Sequence, residues 1–277
     1  MTKTVVNVSG GNGSAIALLR CVERFGAASV DAIFADTRTE HPDLYRFLDD
    51  LERVAGVPIT RLSDGRDIWR VFDDEGIITT PGTARACKAS IELKQVQLAR
   101  HIGTRYAPAQ CQIAVGLSWM EPERQKRLSA KLAPYKVIFP LDWQPCLSAC
   151  AEQEYLRKRG LRLSALYDMG YPHNNCHGLC VLAGLKQWAG VLKDFPVKYV
   201  EAEAWEQRFI ERHDFTINKD RRGGETKNYS LCQLREDVEA GRAFDDGWRG
   251  ACNCMALERD DGPQTSIFKL LEAKERT

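Results

Sequence analysis

The sequence predicts an α/β protein: a doubly wound, mostly parallel sheet with helices on both faces, followed by a helical, cysteine-containing C-terminal region. Three observations carry this. Short β-branched runs alternate with helix-period segments through the first half of the chain, the pattern of βαβ units. A glycine-rich turn joins the first strand to the first helix. From about residue 146 the strand pattern stops and helical patterns dominate.

Thr4 to Val8 (TVVNV) is a β-branched run suited to a strand buried on both faces. Ser9-Gly10-Gly11-Asn12-Gly13-Ser14 follows, then a helical pattern with Ile16, Leu19 and Val22 on one face. Val30 to Ala35 reads as a second strand. His41-Pro42 opens a helix, since proline suits a first turn. Leu44, Phe47, Leu48, Leu51 and Val54 form its apolar stripe, and Gly56 ends it. Val57 to Leu62 is the third strand, 91–102 a helix, Cys111 to Val115 the fourth strand and Lys136 to Phe139 the fifth. Parallel sheets bind ligands at the carboxyl ends of their strands. The polar motifs fall there, at 9–14, 36–40, 116–124 and 140–145. The chain divides into a nucleotide-binding unit over 1–195 and a helical region over 196–277. The latter contains a polar, glycine-rich loop at 220–227, expected to be mobile, and the pair Cys252-Asn253-Cys254. Its charged end, 257–277, reads as a surface helix or a frayed tail.

Composition narrows the function classes. Among 277 residues, 39 Lys and Arg balance 38 Asp and Glu, a net charge of +1 that excludes nucleic-acid binding by bulk charge. No apolar run approaches the ~18 residues of a membrane span. The first residues lack the apolar core of a signal peptide. A cytoplasmic chain with no membrane partner is expected. Ten cysteines are then better suited to metal binding or catalysis than to disulfides.

The Ser9–Ser14 loop suits phosphate. Its glycines let backbone N–H groups approach an anion, the following helix adds its positive end, and two serines add hydroxyls. An ordinary tight turn is the competing reading. It is neither a Gly-Lys-Ser P-loop nor a dinucleotide fingerprint.

This loop resembles the SGGxDS pyrophosphate loop of the adenine nucleotide alpha-hydrolase (PP-loop ATP pyrophosphatase) superfamily. Three further segments resemble its phosphoadenosine phosphosulfate (PAPS) reductase-like branch, in the same order. They are the strand-end run 34–43 (FADTRTEHPD), the run 116–124 (GLSWMEPER), and the stretch from Phe139-Pro140-Leu141-Asp142-Trp143 through Leu166–Tyr171 to Cys176. The likeness spans roughly residues 4–185 and extends to phage-type and DNA-phosphorothioation enzymes. It implies an adenine nucleotide, ATP or PAPS-like, bound by Ser9, Gly10, Gly11, Asn12, Gly13 and Ser14. Asp36 and Thr37 would lie beside the nucleotide, and Gly116, Glu121 and Arg124 would reach it from the next loop. Asp36 as a helix N-cap, and Glu121 with Arg124 as a first-turn ion pair, are the plain alternatives. The family loop usually carries Asp where this chain has Gly13. That weakens an ATP-hydrolysing reading with Mg²⁺ and favours an adenylyl-sulfate-like ligand or a degenerate site.

The resemblance also sorts the cysteines. Cys176 and Cys180 fall where the family keeps iron–sulfur ligands, here as CxxxC rather than CxxC. Cys87, ahead of Lys94, matches an upstream cluster cysteine. With Cys254 as a fourth ligand these would hold a 4Fe-4S cluster. Cys252 or Cys254, with Lys94, are the catalytic candidates. The ECGLH surrounding of the family's nucleophilic cysteine is absent. A zinc ion on Cys176, Cys180, Cys252 and Cys254 remains open, with His173 or His177 replacing a thiolate in either arrangement. Cys21, Cys111, Cys146, Cys150 and Cys232 read as packing residues. The implied function is sulfur chemistry on an adenine nucleotide, resembling both the PAPS and adenylyl-sulfate reductases, which release sulfite, and the PP-loop sulfur-transfer enzymes, with the choice between them left open. The alternatives are a thiolase-type ATP pyrophosphatase acting on nucleic acid, and a non-catalytic nucleotide-binding module with structural zinc. The implied partners are the small nucleotide, and a nucleic acid or a thiol- or sulfur-donor protein. A homo-oligomer is left open.

Overall fold

The computed structural model describes residues 2–80, 86–220, 225–244 and 266–274. Five parallel strands form one sheet: β1 (Lys3–Val8), β2 (Val30–Asp36), β3 (Ile59–Ser63), β4 (Cys111–Val115) and β5 (Lys136–Ile138). Their order is β3-β2-β1-β4-β5. The chain runs outward from β1 to β3, then crosses to the other side for β4 and β5. The winding therefore reverses between β1 and β4, and a crevice opens at their carboxyl ends.

Strand alternation feeds two cores. Val6, Val8, Ala32, Phe34 and Ala114 face helices α1 (Asn12–Phe25) and α2 (Pro42–Ala55). Val5, Ile33, Ala35, Ile113 and Val115 face the opposite way, onto α4 (Gln97–Arg105) and α5 (Pro122–Lys131). Such double coverage is why β1 reads as an unbroken apolar run. The α2 stripe is as expected, with Ala55 more deeply buried than Val54. Gly56 closes that helix in the left-handed conformation, φ 64°. Asp43 ties its first turn to the segment before α7 (Ala165–Asp168). It accepts from Arg46 at 2.6 and 2.8 Å, from Arg162 at 3.2 Å and from the Ala165 N–H at 2.8 Å.

The expected 91–102 helix is split. Ser90–Val96 is a π-helical turn that continues into α4. Such turns displace side chains from the regular helical repeat and recur at functional sites.

A third core joins α3 (Ile68–Glu75) to later elements: α8 (Leu185–Asp194), α9 (Pro196–His213) and α10 (Leu231–Glu239). It draws on residues before and after 195, with Trp188, Tyr199 and Phe209 fully buried. The polar loop expected over 220–227 has strand residues at both ends. β6 (Asn218–Asp220) and β7 (Lys227–Tyr229) pair antiparallel, with Asp220 opposite Lys227. Buried Glu206 on α9 fastens this hairpin to α10 by accepting the Ile217 N–H at 2.8 Å and the Leu231 N–H at 2.5 Å. The charged C-terminal stretch contains α11 (Ile267–Lys274), which is more than surface. Ile267, Phe268 and Leu271 are buried against the α4–α5 side of the sheet, because the helix sets its apolar face there. Between α5 and β5, Tyr135 meets Phe268 with ring centroids 4.5 Å apart. Helix α6 (Ala149–Lys158) packs against α1. Among the described residues no helix is long and apolar enough to cross a membrane.

Burial pushes the Glu206 carboxyl up to about 7. A raised carboxyl contributes stability that is complete below its unfolded value near 4.5 and is lost as pH rises through about 7. Denaturant unfolding should therefore show stability falling by about 2–3 kcal/mol from pH 4.5 to 8. Glu206→Gln, which keeps an acceptor oxygen, should flatten that profile; an unchanged slope would remove Glu206 as its source.

Candidate functional site

The crevice holds a cleft of 560 Å³, within the usual range for small-molecule sites. Ser9, Gly11, Asn12, Gly13 and Ser14 line it from the loop after β1. Gly116, Leu117, Glu121 and Arg124 line it after β4, Ala149, Glu152 and Gln153 from α6, Tyr167 from α7, and Gly170–His173 from beyond α7.

The phosphate-type loop is internally braced. The Ser9 N–H donates to Ser14 Oγ at 3.0 Å, and Ser14 Oγ donates to the Gly11 carbonyl at 2.8 Å. Gly11 is the N-cap of α1 and offers no side chain, so the helix's first N–H groups face the cleft without a side-chain cap. Gly10 has φ +78°, and a Cβ there would sit 2.8 Å from Leu44. Asn174 Nδ2 holds the Gly10 carbonyl at 3.0 Å.

Gly13 has a steric reason. A Cβ on it would lie 2.8 Å from the Gly116 carbonyl oxygen, and one on Gly116 would lie 2.4–2.5 Å from Gly13 and Ser14 backbone atoms. The loops after β1 and β4 thus touch backbone to backbone, which leaves no room for an aspartate at position 13. Two further ties hold the loop after β5, which does not line the cleft, to α1 and to the loop after β4. Arg20 Nη1 donates to the carbonyls of Pro140 at 2.9 Å and Trp143 at 2.8 Å, and Nη2 to Pro145 at 2.6 Å. Gln125 Nε2 bridges the Ser118 carbonyl and the Asp142 carboxylate at 3.0 and 2.9 Å.

The cleft's charges are mixed. Arg124 pairs with Glu121, which also accepts the Ser118 N–H at 3.2 Å. Glu152 shares the space with Glu121. Burial, then the Glu121 charge, pushes its carboxyl up to about 6. Burial and the Arg124 charge hold His173 below the usual histidine range.

A second, smaller cavity of 30 Å³ is lined by Cys87, Cys176 and Cys180, with Thr37, Ser90, Lys94 and apolar groups that include Ile68, Phe72 and Leu179. Three thiols from two distant stretches of chain converge here. Cys87 bridges to Thr79 just before the π-helical turn. Cys176 and His177 have φ of 50° and 52°, ahead of Gly178 at 80°. Two consecutive non-glycine residues in the left-handed region store strain that surrounding contacts must hold. One such contact is Glu40, whose Oε2 accepts the Cys176 N–H at 2.5 Å. Its Oε1 accepts from Thr37 Oγ1 at 3.0 Å and pairs with Lys94 Nζ at 3.2 Å. Both partners of that ion pair are buried. Lys94 lines both cavities.

The structure rearranges several sequence expectations. Asp36 lines neither cavity. It closes the turn after β2, accepting the Arg38 N–H and the Tyr45 hydroxyl, both at 2.8 Å, while His41 caps α2. Thr37 faces the thiol cavity rather than the cleft. His173 lines the cleft, and His177 packs edge-on to His41 and Phe195 at 4.5 Å, so neither lines the thiol cavity. Of the five cysteines read as packing, Cys21 and Cys111 are buried, and burial raises their thiols to about 12 and about 11. Cys146 and Cys232 are only half-buried and Cys150 is exposed, because loop and helix surface carry them. Cys252 and Cys254 lie outside the described residues. Among the described residues, no group of three His, Cys, Asp or Glu is arranged to hold a single metal ion. Glu152 and Asn174 were not evident from the sequence. Glu40 and Tyr167 had no role assigned, and the signal for each was the family-like run that contains it, 34–43 and 166–171.

No protein-family model matches this chain, and no curated protein is similar to it in sequence. Among solved structures, it is similar to a phosphoadenylyl-sulfate (PAPS) reductase from Candida auris in a phosphate complex. The TM-score is 0.44 and the identity 14%, over 63% of this chain and 81% of that one.

Substitutions probe this geometry. Gly116→Ala should destabilise by about 3 kcal/mol or more, because backbone must move. Gly103→Ala, whose Cβ would meet Phe268 at an ordinary 3.6 Å, should be neutral or stabilising. Lys94→Met should lower stability by about 3 kcal/mol by stranding the Glu40 carboxylate, and adding Glu40→Gln should recover part of the loss. Additive losses in the double variant would contradict the pairing.

Proposed function

We propose that this chain is an adenine-nucleotide-binding enzyme of sulfur chemistry, akin to the PAPS reductase-like branch that its motifs resemble. The observation that carries the reading is the adjacency of two cavities, one walled by a phosphate-type loop and one by three cysteines, with Lys94 lining both. ATP or a PAPS-like nucleotide would sit with its phosphates on the uncapped N–H groups of α1. Ser9 and Ser14 would keep the loop in shape, and Gly116 would let the β4 loop close against it.

The thiol cavity fits a sulfur-ligated group by donor type: three cysteines in largely apolar surroundings. Cys87, Cys176 and Cys180 would hold a 4Fe-4S cluster with Cys254 as the fourth ligand. A cavity of 30 Å³ as it stands holds about one water, so loading would have to spread the thiols apart. Such a cluster supplies iron–sulfur electrostatics or a sulfur-binding iron beside the nucleotide. The chain's own residues do the rest. Glu40 fixes the Cys176 backbone, Lys94 places a buried ammonium between the sites, and the apolar wall excludes water. Cys252 or Cys254 is the proposed nucleophile toward sulfur. A thiol donor for the reductase, or a nucleic-acid acceptor for a thiolase-type reaction, would be the second partner.

Anaerobically purified protein should contain about four irons and four sulfides per chain, and Cys87→Ser should lose most of them. Zinc in place of iron would favour the structural-zinc alternative. Sulfite released from PAPS would assign reduction, and AMP with pyrophosphate from ATP would assign adenylation. Nucleotide binding with neither product under any sulfur donor would leave a binding module.

A further inference from the structure

The opposite end of the sheet carries a cavity of its own. It measures 440 Å³, within the usual range for small ligands. Residues 27–28 and 56–58, the starts of β2 and β3, and the end of α4 with Tyr106 line it. It shares no lining residue with the nucleotide-type cleft.

Its charged groups are unequally matched. The Asp31 carboxylate is engaged on both oxygens: Lys3 Nζ lies 3.4 Å from Oδ1, and the Tyr106 hydroxyl donates to Oδ2. Both donors are themselves anchored. Lys3 also donates to the Ala28 carbonyl at 2.9 Å, and the Tyr135 hydroxyl donates to the Tyr106 carbonyl at 2.6 Å. The Arg105 guanidinium and the His101 imidazole differ. They stand one helical turn apart on α4 and line the same cavity. Neither makes a hydrogen bond or ion pair among the described residues. Lys3 cancels Asp31, so Arg105 is the surplus charge here, joined by His101 when protonated. Burial, then the Arg105 charge, hold His101 below the usual histidine range, and Asp31 pulls the other way. Tyr106 is the remaining titratable lining group, raised by burial and by its bond to Asp31. A basic residue in a helix's last turn complements the helix dipole, and Arg105 alone would need no other account. Two cationic groups one turn apart, however, oppose each other. Set around a concave space, beside a carboxylate already satisfied, they leave a place for an anion.

The class of anion follows from the charge and the walls. A guanidinium fork matches the two oxygens of a planar carboxylate. Asp31 and the carboxyl end of α4 disfavour a dianion, so one negative charge suits Arg105 better than two. Val30, Val57 and Pro58 offer apolar surface to the rest of the molecule. We infer that this cavity binds a small organic carboxylate, with its anionic end on Arg105 beside His101 and its apolar body against Val30, Val57 and Pro58. The site stands independently of the nucleotide reading.

The test titrates the full chain with benzoate, acetate and inorganic phosphate, followed by the nuclear magnetic resonance signals of the histidine rings and by calorimetry. The His101 signal is assigned by its loss in His101→Gln. Millimolar benzoate should shift the His101 signal saturably. Acetate, which lacks the apolar body, should bind about tenfold more weakly. A protonated His101 favours the anion, so benzoate affinity should fall by about tenfold as pH rises from 5 to 8. His101→Gln should abolish that pH dependence and keep binding near the wild-type level at pH 8. Arg105→Gln, a change at an exposed side chain, should lower benzoate affinity about tenfold or more. No saturable shift of His101 with benzoate, or benzoate binding unaltered in Arg105→Gln, overturns the site. Phosphate binding tighter than benzoate overturns the carboxylate assignment.

Discussion

One buried carboxylate, Glu40, organises the region on which the chemistry would depend. It sits in the turn after β2 and touches three things at once: the Thr37 hydroxyl beside it, the Lys94 ammonium from the π-helical turn, and the Cys176 N–H from a stretch 136 residues later. A buried charge is tolerated only when partners on the same scale surround it. Here those partners belong to three separate segments, so each is placed by the same electrostatic demand. The left-handed backbone at Cys176 and His177 persists because something outside the turn compensates for it, and the Glu40 bond is one such compensation. Cavity walls that look independent in the sequence are therefore mechanically joined.

The other constraint is steric. At the point where the sheet's winding reverses, Gly13 and Gly116 bring two loops into main-chain contact. This changes how a departure from a motif should be read. A glycine in place of an acid suggests a lost function when the loop is viewed alone. In three dimensions it is a packing requirement of the neighbouring loop, and an acid facing the same space is carried by α6 instead.

Much of the fold was legible because it follows from local periodicity. All five strands lie within a few residues of their expected places, since central parallel strands must be apolar on both faces. The phosphate-type loop was legible for a similar reason, as glycine and serine at a strand–helix junction have few other uses. What the sequence hid depends on distant partners. The π-helical turn has no propensity signal distinguishing it from α-helix. Asp36 looked like a nucleotide or capping residue, yet Tyr45 and Arg38 claim it. Glu152 resembles any polar residue of an amphipathic helix until the fold shows what it faces. His173 and His177 flank Cys176 in sequence but point into different surroundings, because the left-handed turn between them redirects the chain.

Helix α11 has a consequence for how the molecule is made. Ile267, Phe268 and Leu271 complete a core whose other members include Val5, Ile33 and Ile113. Synthesis proceeds from the N-terminus, and most of the sheet emerges long before these residues do. One face of the nascent sheet must then wait, with apolar side chains uncovered, until residues 267–271 have left the ribosome. That interval is when a folding chain is most prone to aggregate or to need a chaperone. Products that stop before residue 267 would therefore lack part of a core. They would expose the underside of the sheet that bears the cleft.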